Sequence, residues 1–236
     1  MKYVWAAASH KGMIRENNED SMFPSAAGES DGPAILMVAD GMGGHVAGEV
    51  ASRLAVNAAS SAEVDDPGDR VAFANRAIRE EVARQPDLDG MGTTLTLVEL
   101  RPDATARIGH VGDSRAYAYS VGELVQLTED HTVAAEMVNL GELTPENALN
   151  HPQSHMLTRC LGLTRFVNVD ETTLDLEVGD RLLLCSDGLS SMVKDKRIAE
   201  ILGTESLEDT VWKLIDEANG AGGVDNITVI VIEVVE

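Results

Sequence analysis

Ala34-Ile35-Leu36-Met37-Val38-Ala39-Asp40-Gly41 is an apolar run of strand length that ends in an aspartate beside a glycine. A run of this kind, bounded by Gly, Asp or Pro, reads as a core strand. The same ending recurs in Ile108-Gly-His-Val-Gly-Asp113-Ser114 and in Leu182-Leu-Leu-Cys-Ser-Asp187-Gly188. In mirror order, Asp225-Asn226 opens Ile227-Thr-Val-Ile-Val-Ile232. Any one Asp-Gly or Asp-Asn pair is ordinary turn chemistry. Four of them on predicted core strands point to aspartates gathered at one edge of a sheet assembly.

Working outward from these runs, 34–39, 93–100, 104–112, 181–186 and 226–235 read as strands. Val46 to Ala62 places Val46, Val50, Ala51, Leu54, Ala55 and Ala58 on one helical face, and 70–84 and 207–219 repeat the spacing. Strands and helices come in blocks, which favours an α+β fold of antiparallel sheets covered by helices over a doubly wound parallel sheet. No internal repeat or linker interrupts the chain, so 1–236 is expected to be one domain. From His131 to about Thr158, Gly141, Pro145, Asn147, Asn150 and Pro152 break up short helical pieces. That stretch reads as an excursion from the core, of the kind that serves as a lid or mobile loop.

Charge excludes several partners. Eighteen Lys and Arg stand against 40 Asp and Glu, a net charge of -22, so a nucleic-acid backbone or an anionic membrane surface would be repelled. Cys160 and Cys185 make neither a disulfide framework nor a Cys-x-x-Cys metal pair, which suits a reducing, cytoplasmic setting. Lys2 followed by apolar Tyr3 to Ala8 is too short for an export leader and is stopped by His10 and Lys11. No apolar run approaches the ~20 residues of a membrane helix.

If the four aspartates converge, physics demands a counter-charge. Two carboxylates ~4 Å apart repel by about 4 kcal/mol at an effective dielectric of 20, and several such pairs rival the ~5–15 kcal/mol stability of a whole domain. The cluster must take up protons or cations. An all-oxygen set selects hard ions such as Mg²⁺, Mn²⁺ or Ca²⁺ over Zn²⁺.

The ordered segments Gly12-Met-Ile-Arg15-Glu-Asn-Asn18-Glu19-Asp20, Val38-Ala-Asp40-Gly-Met-Gly-Gly-His45-Val-Ala-Gly48-Glu49, Gly92-Thr-Thr94, Gly112-Asp113-Ser114-Arg115, Leu127-Thr-Glu-Asp130-His131, Leu157-Thr-Arg159-Cys-Leu-Gly162, Cys185-Ser-Asp187-Gly188 and Asp225-Asn226-Ile-Thr228 resemble the motif set of the metal-dependent, type 2C serine/threonine protein phosphatases in their bacterial form. The match runs from about residue 9 to the C-terminus. The resemblance implies a four-layer αββα sandwich of two antiparallel sheets flanked by helices, with the 131–158 excursion as a flap. It implies hydrolysis of phosphoserine and phosphothreonine by a hydroxide bridging two tightly bound Mn²⁺ or Mg²⁺ ions, with a weaker third ion.

By the family pattern, Asp40 bridges the two ions, the Gly41 carbonyl binds one, and Asp187 and Asp225 complete the other. Asp113 would hold the third ion together with Asp187, and Glu19 and Asp20 would hold metal-bound waters. Arg15 would grip the phosphate through its planar fork, and His45 would protonate the leaving alkoxide. Asp130, His131 and Arg159 are assigned to the flap and substrate region. Implied partners are phosphorylated proteins, including the opposing kinase, and the protein is expected to act as a monomer.

One departure is His10, where bacterial relatives commonly carry Asp. His151 and His155, spaced i to i+4, are broken by Pro152 and lack an intervening Glu, so they read as a solvated loop. Two rivals remain: a cysteine-based phosphatase built on Cys160, whose spacing to Arg165 is one short of Cys-x₅-Arg, and a catalytically inactive phosphoprotein-binding module.

Overall fold

The computed structural model describes residues 1–43, 46–148 and 151–235. Four strands, β1 (Tyr3–His10), β2 (Asp20–Phe23), β3 (Gly28–Ser30) and β4 (Ala34–Met42), precede the helices α1 (Val46–Ser61) and α2 (Pro67–Arg84). β5 (Gly92–Thr93), β6 (Leu95–Leu100), β7 (Thr105–Val111), β8 (Arg115–Ser120) and β9 (Glu123–Gln126) follow. The excursion carries α3 (Val133–Asn139) and α4 (Pro145–Ala148). The chain then makes β10 (Asp170–Asp175), β11 (Arg181–Cys185), α5 (Asp187–Ser190), α6 (Asp195–Thr204), α7 (Leu207–Gly220) and β12 (Ile227–Val234).

Two antiparallel sheets result. One has the order β3-β1-β12-β11-β8-β9, the other β10-β7-β6-β4-β2, with β5 beside β4. Side chains alternate across a strand, and here both faces are covered. On β12, Ile230, Ile232 and Val234 enter the core between the sheets while Val229 and Val231 face α6 and α7. On β4, Leu36 and Val38 point between the sheets while Met37 and Ala39 meet α1 and α2. Helix, sheet, sheet and helix thus form the four layers expected. Double coverage explains why these strands read as unbroken apolar runs rather than alternating ones. Each fully buried Leu, Ile or Val contributes about 1.5–3 kcal/mol, so Leu36→Ala, at 0% exposure, would destabilise by about 2–5 kcal/mol.

Several boundaries differ from the sequence expectation for local reasons. Helix α2 begins at Pro67 rather than 70, because the Asp66 carboxylate accepts from the Gly68 and Asp69 N–H groups and Pro67 suits the first turn. Strand β4 continues to Met42, two residues beyond Asp40. The apolar segment after Lys2 is β1, paired along its whole length with β12. No described helix is long and apolar enough to cross a membrane.

The flap is closed at its base. Val133 N–H donates to the Met156 carbonyl at 2.9 Å and Thr158 N–H to the His131 carbonyl at 2.8 Å. The Thr132 hydroxyl caps α3 by accepting from Ala135 N–H.

Candidate functional site

One end of the inter-sheet core is acidic. Asp40 follows Leu36 and Val38 on the same face of β4, and β2 sets Asp20 directly opposite it in the ladder. From the other sheet, β11 ends at Cys185 and Asp187 opens α5, while Asp225 lies just before β12. Asp113 occupies the turn between β7 and β8. A cleft of about 620 Å³ is lined by Arg15, Glu19, Asp40, Gly41, Asp113, Asp187 and Asp225, and the flap adds His155, Met156 and Leu157.

Close backbone approach builds this corner. A Cβ on Gly48, in the first turn of α1, would collide with the Glu19 carboxylate, and one on Gly41 would collide with the Gly48 carbonyl. The Gly41 N–H donates to the Glu19 carbonyl. Only glycine at both positions lets β4, α1 and the Glu19 loop meet.

A layer of hydroxyls and one amide positions the acids. The Ser186 hydroxyl donates to Asp20 Oδ2 at 2.7 Å and accepts from Thr228 N–H at 3.0 Å. Asn226 donates to the carbonyls of Lys11 and Asn17 and accepts from Glu19 N–H, so it clamps the loop that carries Arg15. Thr94 Oγ1 accepts from Asp40 N–H and pairs with Ser114 Oγ at 2.7 Å. These residues lie inside the quoted motifs, but only contacts across the sheets reveal what they hold.

The electrostatics show an unmet demand for positive charge. Burial, then the neighbouring carboxylates, push Asp20 up to about 7 and Asp113 up to about 8. Asp40 is raised well above the usual range by burial and then by Asp20, Asp187, Asp113 and Asp225. Asp20 Oδ1 and Asp187 Oδ1 are buried without a hydrogen-bond partner. Such an atom costs about 1–3 kcal/mol, more when charged, and cations or cation-bound waters would satisfy these oxygens. Among the described residues no three Asp, Glu, His or Cys side chains enclose an ion by themselves. The four expected aspartates therefore share a cleft rather than form a cage. That arrangement fits Mg²⁺ or Mn²⁺, which keep several waters and take few protein carboxylates.

Arg15 sits at the cleft edge, where its Nη2 donates to Asp225 Oδ2 at 2.5 Å. The fork expected on a phosphate is thus also bound to an expected metal ligand. His10 Nδ1 accepts from Gly12 N–H at 3.0 Å and stiffens the turn before it. His155 departs from the solvated-loop expectation. Although exposed, its Nδ1 lies 3.5 Å from Asp187 Oδ2, and that contact raises its pKa.

Asp130, His131 and Arg159 do not line the cleft. Asp130 takes both ends of the Arg115 fork at 2.8 and 2.7 Å. Arg159 and His131 both hold Asp170, at 2.6 and 3.1 Å. His131 Nδ1 also accepts from Gly112 N–H while its own N–H donates to the Gly112 carbonyl. His131 therefore fastens the flap base to the turn that carries Asp113, while Asp130 and Arg159 tie it to Arg115 on β8 and to Asp170 on β10. His45 lies outside the described residues. Cys185 is fully buried with its thiol pushed up to about 12, and burial also raises Cys160. Neither offers the thiolate a cysteine phosphatase needs.

The sequence profile of the family described as "Protein phosphatase 2C" matches residues 12–220. The serine/threonine protein phosphatase PstP of Mycobacterium tuberculosis is 42% identical over 242 residues, a match that takes in 98% of this chain and 45% of that protein. The chain thus spans about half the length of that curated relative. The serine/threonine phosphatase stp of Listeria monocytogenes is 38% identical over 236 residues, covering 94% of this chain and 92% of its own. The crystal structure of Mycobacterium tuberculosis PstP/Ppp superposes with a TM-score of 0.91 at 40% identity over 100% of both chains. A structure of the PstP catalytic domain in complex with two manganese ions gives 0.88 at 38% identity, again over 100% of both chains.

Proposed function

This chain belongs to the protein phosphatase 2C family, and we propose that it hydrolyses phosphoserine and phosphothreonine in proteins with divalent cations held by Asp40, Asp187 and Asp225. The observation that carries this reading is the pair of buried, unpartnered carboxylate oxygens, on Asp20 and Asp187, beside a cleft large enough for a phosphoamino acid. Mn²⁺ or Mg²⁺ would serve, with a third, weaker ion at Asp113. Bound there, the ions would supply Lewis acidity and a water acidic enough to attack phosphorus near neutral pH.

The chain's own residues do the rest. Asp40, the Gly41 carbonyl, Asp187 and Asp225 would hold the ions. Glu19 and Asp20 hold waters around them, and Ser186 fixes the Asp20 carboxylate. Arg15 orients the phosphate by moving part of its fork from Asp225 to phosphate oxygens. We assign His45 the proton delivered to the leaving oxygen as the phosphorus–oxygen ester bond breaks, which yields the free hydroxyl and inorganic phosphate. We read the chain as one catalytic domain, monomeric and cytoplasmic. Its partners in this reading are phosphorylated proteins, including Ser/Thr kinases.

Phosphate release from a phosphothreonine peptide tests this. Turnover with Mn²⁺, abolished reversibly by EDTA and insensitive to thiol alkylation, is expected. Tight peptide binding without turnover would overturn the enzymatic reading.

A further inference from the structure

Two loops flank the Arg15–Asp225 pair, and both carry exposed apolar side chains. Met13 is 64% exposed, Ile14 67% and Val224 51%. The loops are cross-linked. Met13 N–H donates to the Gly223 carbonyl at 2.7 Å, and Asn226 holds the Lys11 and Asn17 carbonyls. Gly12 has a φ of +78°, and a Cβ there would collide with the Asp225 carbonyl, so the close approach of the two loops needs glycine at this position. The Met13 side chain also lies against Gly223, which makes Met13, Ile14 and Val224 a lip drawn from two cross-linked loops.

Scattered exposed apolar residues are ordinary, but Ile14 and Val224 directly precede Arg15 and Asp225, which line the cleft together with Glu16, Glu19, Asp40, Asp113 and Asp187. A segment that brings a phosphate to Arg15 from this side would lay its next residue beside the lip. Acidic neighbours would meet the carboxylates at close range, whereas an apolar side chain would bury surface on a platform already ordered, with little entropy lost.

We propose that Met13, Ile14 and Val224 form a specificity lip that selects phosphorylated segments with an apolar residue immediately beside the phosphorylated one. This rests on the phosphatase reading above and deepens it to a substrate class. Buried area of one side chain in such a contact gives about tenfold selectivity or somewhat more.

The test compares phosphothreonine peptides with Leu, Ser or Glu at the neighbouring position, in one series before the phosphothreonine and one after it, with Mn²⁺ present. In at least one series kcat/KM is expected to favour Leu over Ser by about tenfold, with Glu poorest. A Met13→Ser, Ile14→Ser double variant is expected to bring the Leu-to-Ser ratio to within about twofold of one, while Ile14→Leu retains it. A wild-type ratio near one in both series, or a ratio unmoved by the double variant, would overturn the proposal. Self-association of the wild type that the double variant abolishes would overturn it too, because the lip would then be covered by a second copy. Absence of phosphate release from every peptide would instead sink the phosphatase reading itself, so the two failures are distinguishable.

Discussion

Asp20 and Asp40 face each other directly across the β2–β4 ladder, so the buried Asp20 and the half-buried Asp40 that share this corner belong to adjacent strands of one sheet. Neither can move away without breaking the ladder. Repulsion between them is built into the backbone, and only protons or cations relieve it.

This relationship sets a pH dependence. With no ion bound, the native state holds protons on Asp20 up to about 7 and on Asp113 up to about 8, where the unfolded chain releases them near 3.8. The associated stability is fully present below the unfolded value and is lost as pH rises through 7 to 8. The melting temperature in EDTA should therefore fall by several degrees between pH 5.5 and 8.5, at ~2–4 °C per kcal/mol. Saturating Mn²⁺ at pH 8 should restore it, and Asp20→Asn should flatten the slope. A melting temperature in EDTA that rises across this interval would contradict the electrostatic account.

Ser186→Ala removes one hydroxyl that serves both Asp20 Oδ2 and the buried Thr228 N–H. An unsatisfied buried group costs about 1–3 kcal/mol, and loss of support behind a metal site typically lowers affinity or activity by ~10- to 100-fold. Chemical denaturation and a Mn²⁺ activation curve check both effects. Unchanged values in each would show that Ser186 positions nothing.

Arg15→Ala should raise KM for phosphopeptides more than it lowers kcat, because it removes a phosphate contact made before the transition state. Arg15→Lys should recover only part, since a point charge lacks the fork. Because Arg15 also holds Asp225, the Ala variant should reach half-activation at a lower Mn²⁺ concentration. A collapsed kcat with KM unchanged would assign Arg15 another role.

Asp113→Ala should leave two tightly bound Mn²⁺ ions countable by calorimetry while cutting turnover, in keeping with a weaker third site. His131→Ala, which removes the side-chain bond to Gly112 and leaves only the backbone one, should weaken the same step without changing the tight stoichiometry. Fewer than two tight ions in Asp113→Ala would place that residue in the central pair.

The core strands were legible because burial on both faces leaves unbroken apolar runs, as in Ala34 to Ala39. Edge strands were not. In β10, Asp-Glu-Thr-Thr-Leu-Asp alternates half-buried and exposed residues and looks like a polar loop. The interior strand β1, between β3 and β12, is hidden for another reason: it mixes alanines with Ser9 and His10 and is recognisable only through its pairing. The aspartates of the site were visible as strand-end residues, and the ordered motifs named the family. What the linear chain conceals is distance. His155 is separated from Asp187 by 32 positions yet lies 3.5 Å from it, and Asp130, His131 and Arg159 sit in motifs that suggest chemistry but hold the flap base. Arg15 pairing with Asp225 crosses 210 positions, a contact no local pattern can encode.

In the proposed reaction Asp40, at the meeting of the two sheets, holds the ions on which hydrolysis depends. Its most direct test is a Mn²⁺ titration of wild type and Asp40→Asn, recording bound ions by calorimetry and phosphate release from a phosphothreonine peptide in the same samples. Two tight ions and turnover that rises with their occupancy are expected in the wild type, and in Asp40→Asn a loss of both, although its melting temperature in EDTA at pH 8 should be higher because the repulsion is gone. Full turnover by Asp40→Asn, or turnover in the wild type undiminished by EDTA, would contradict it.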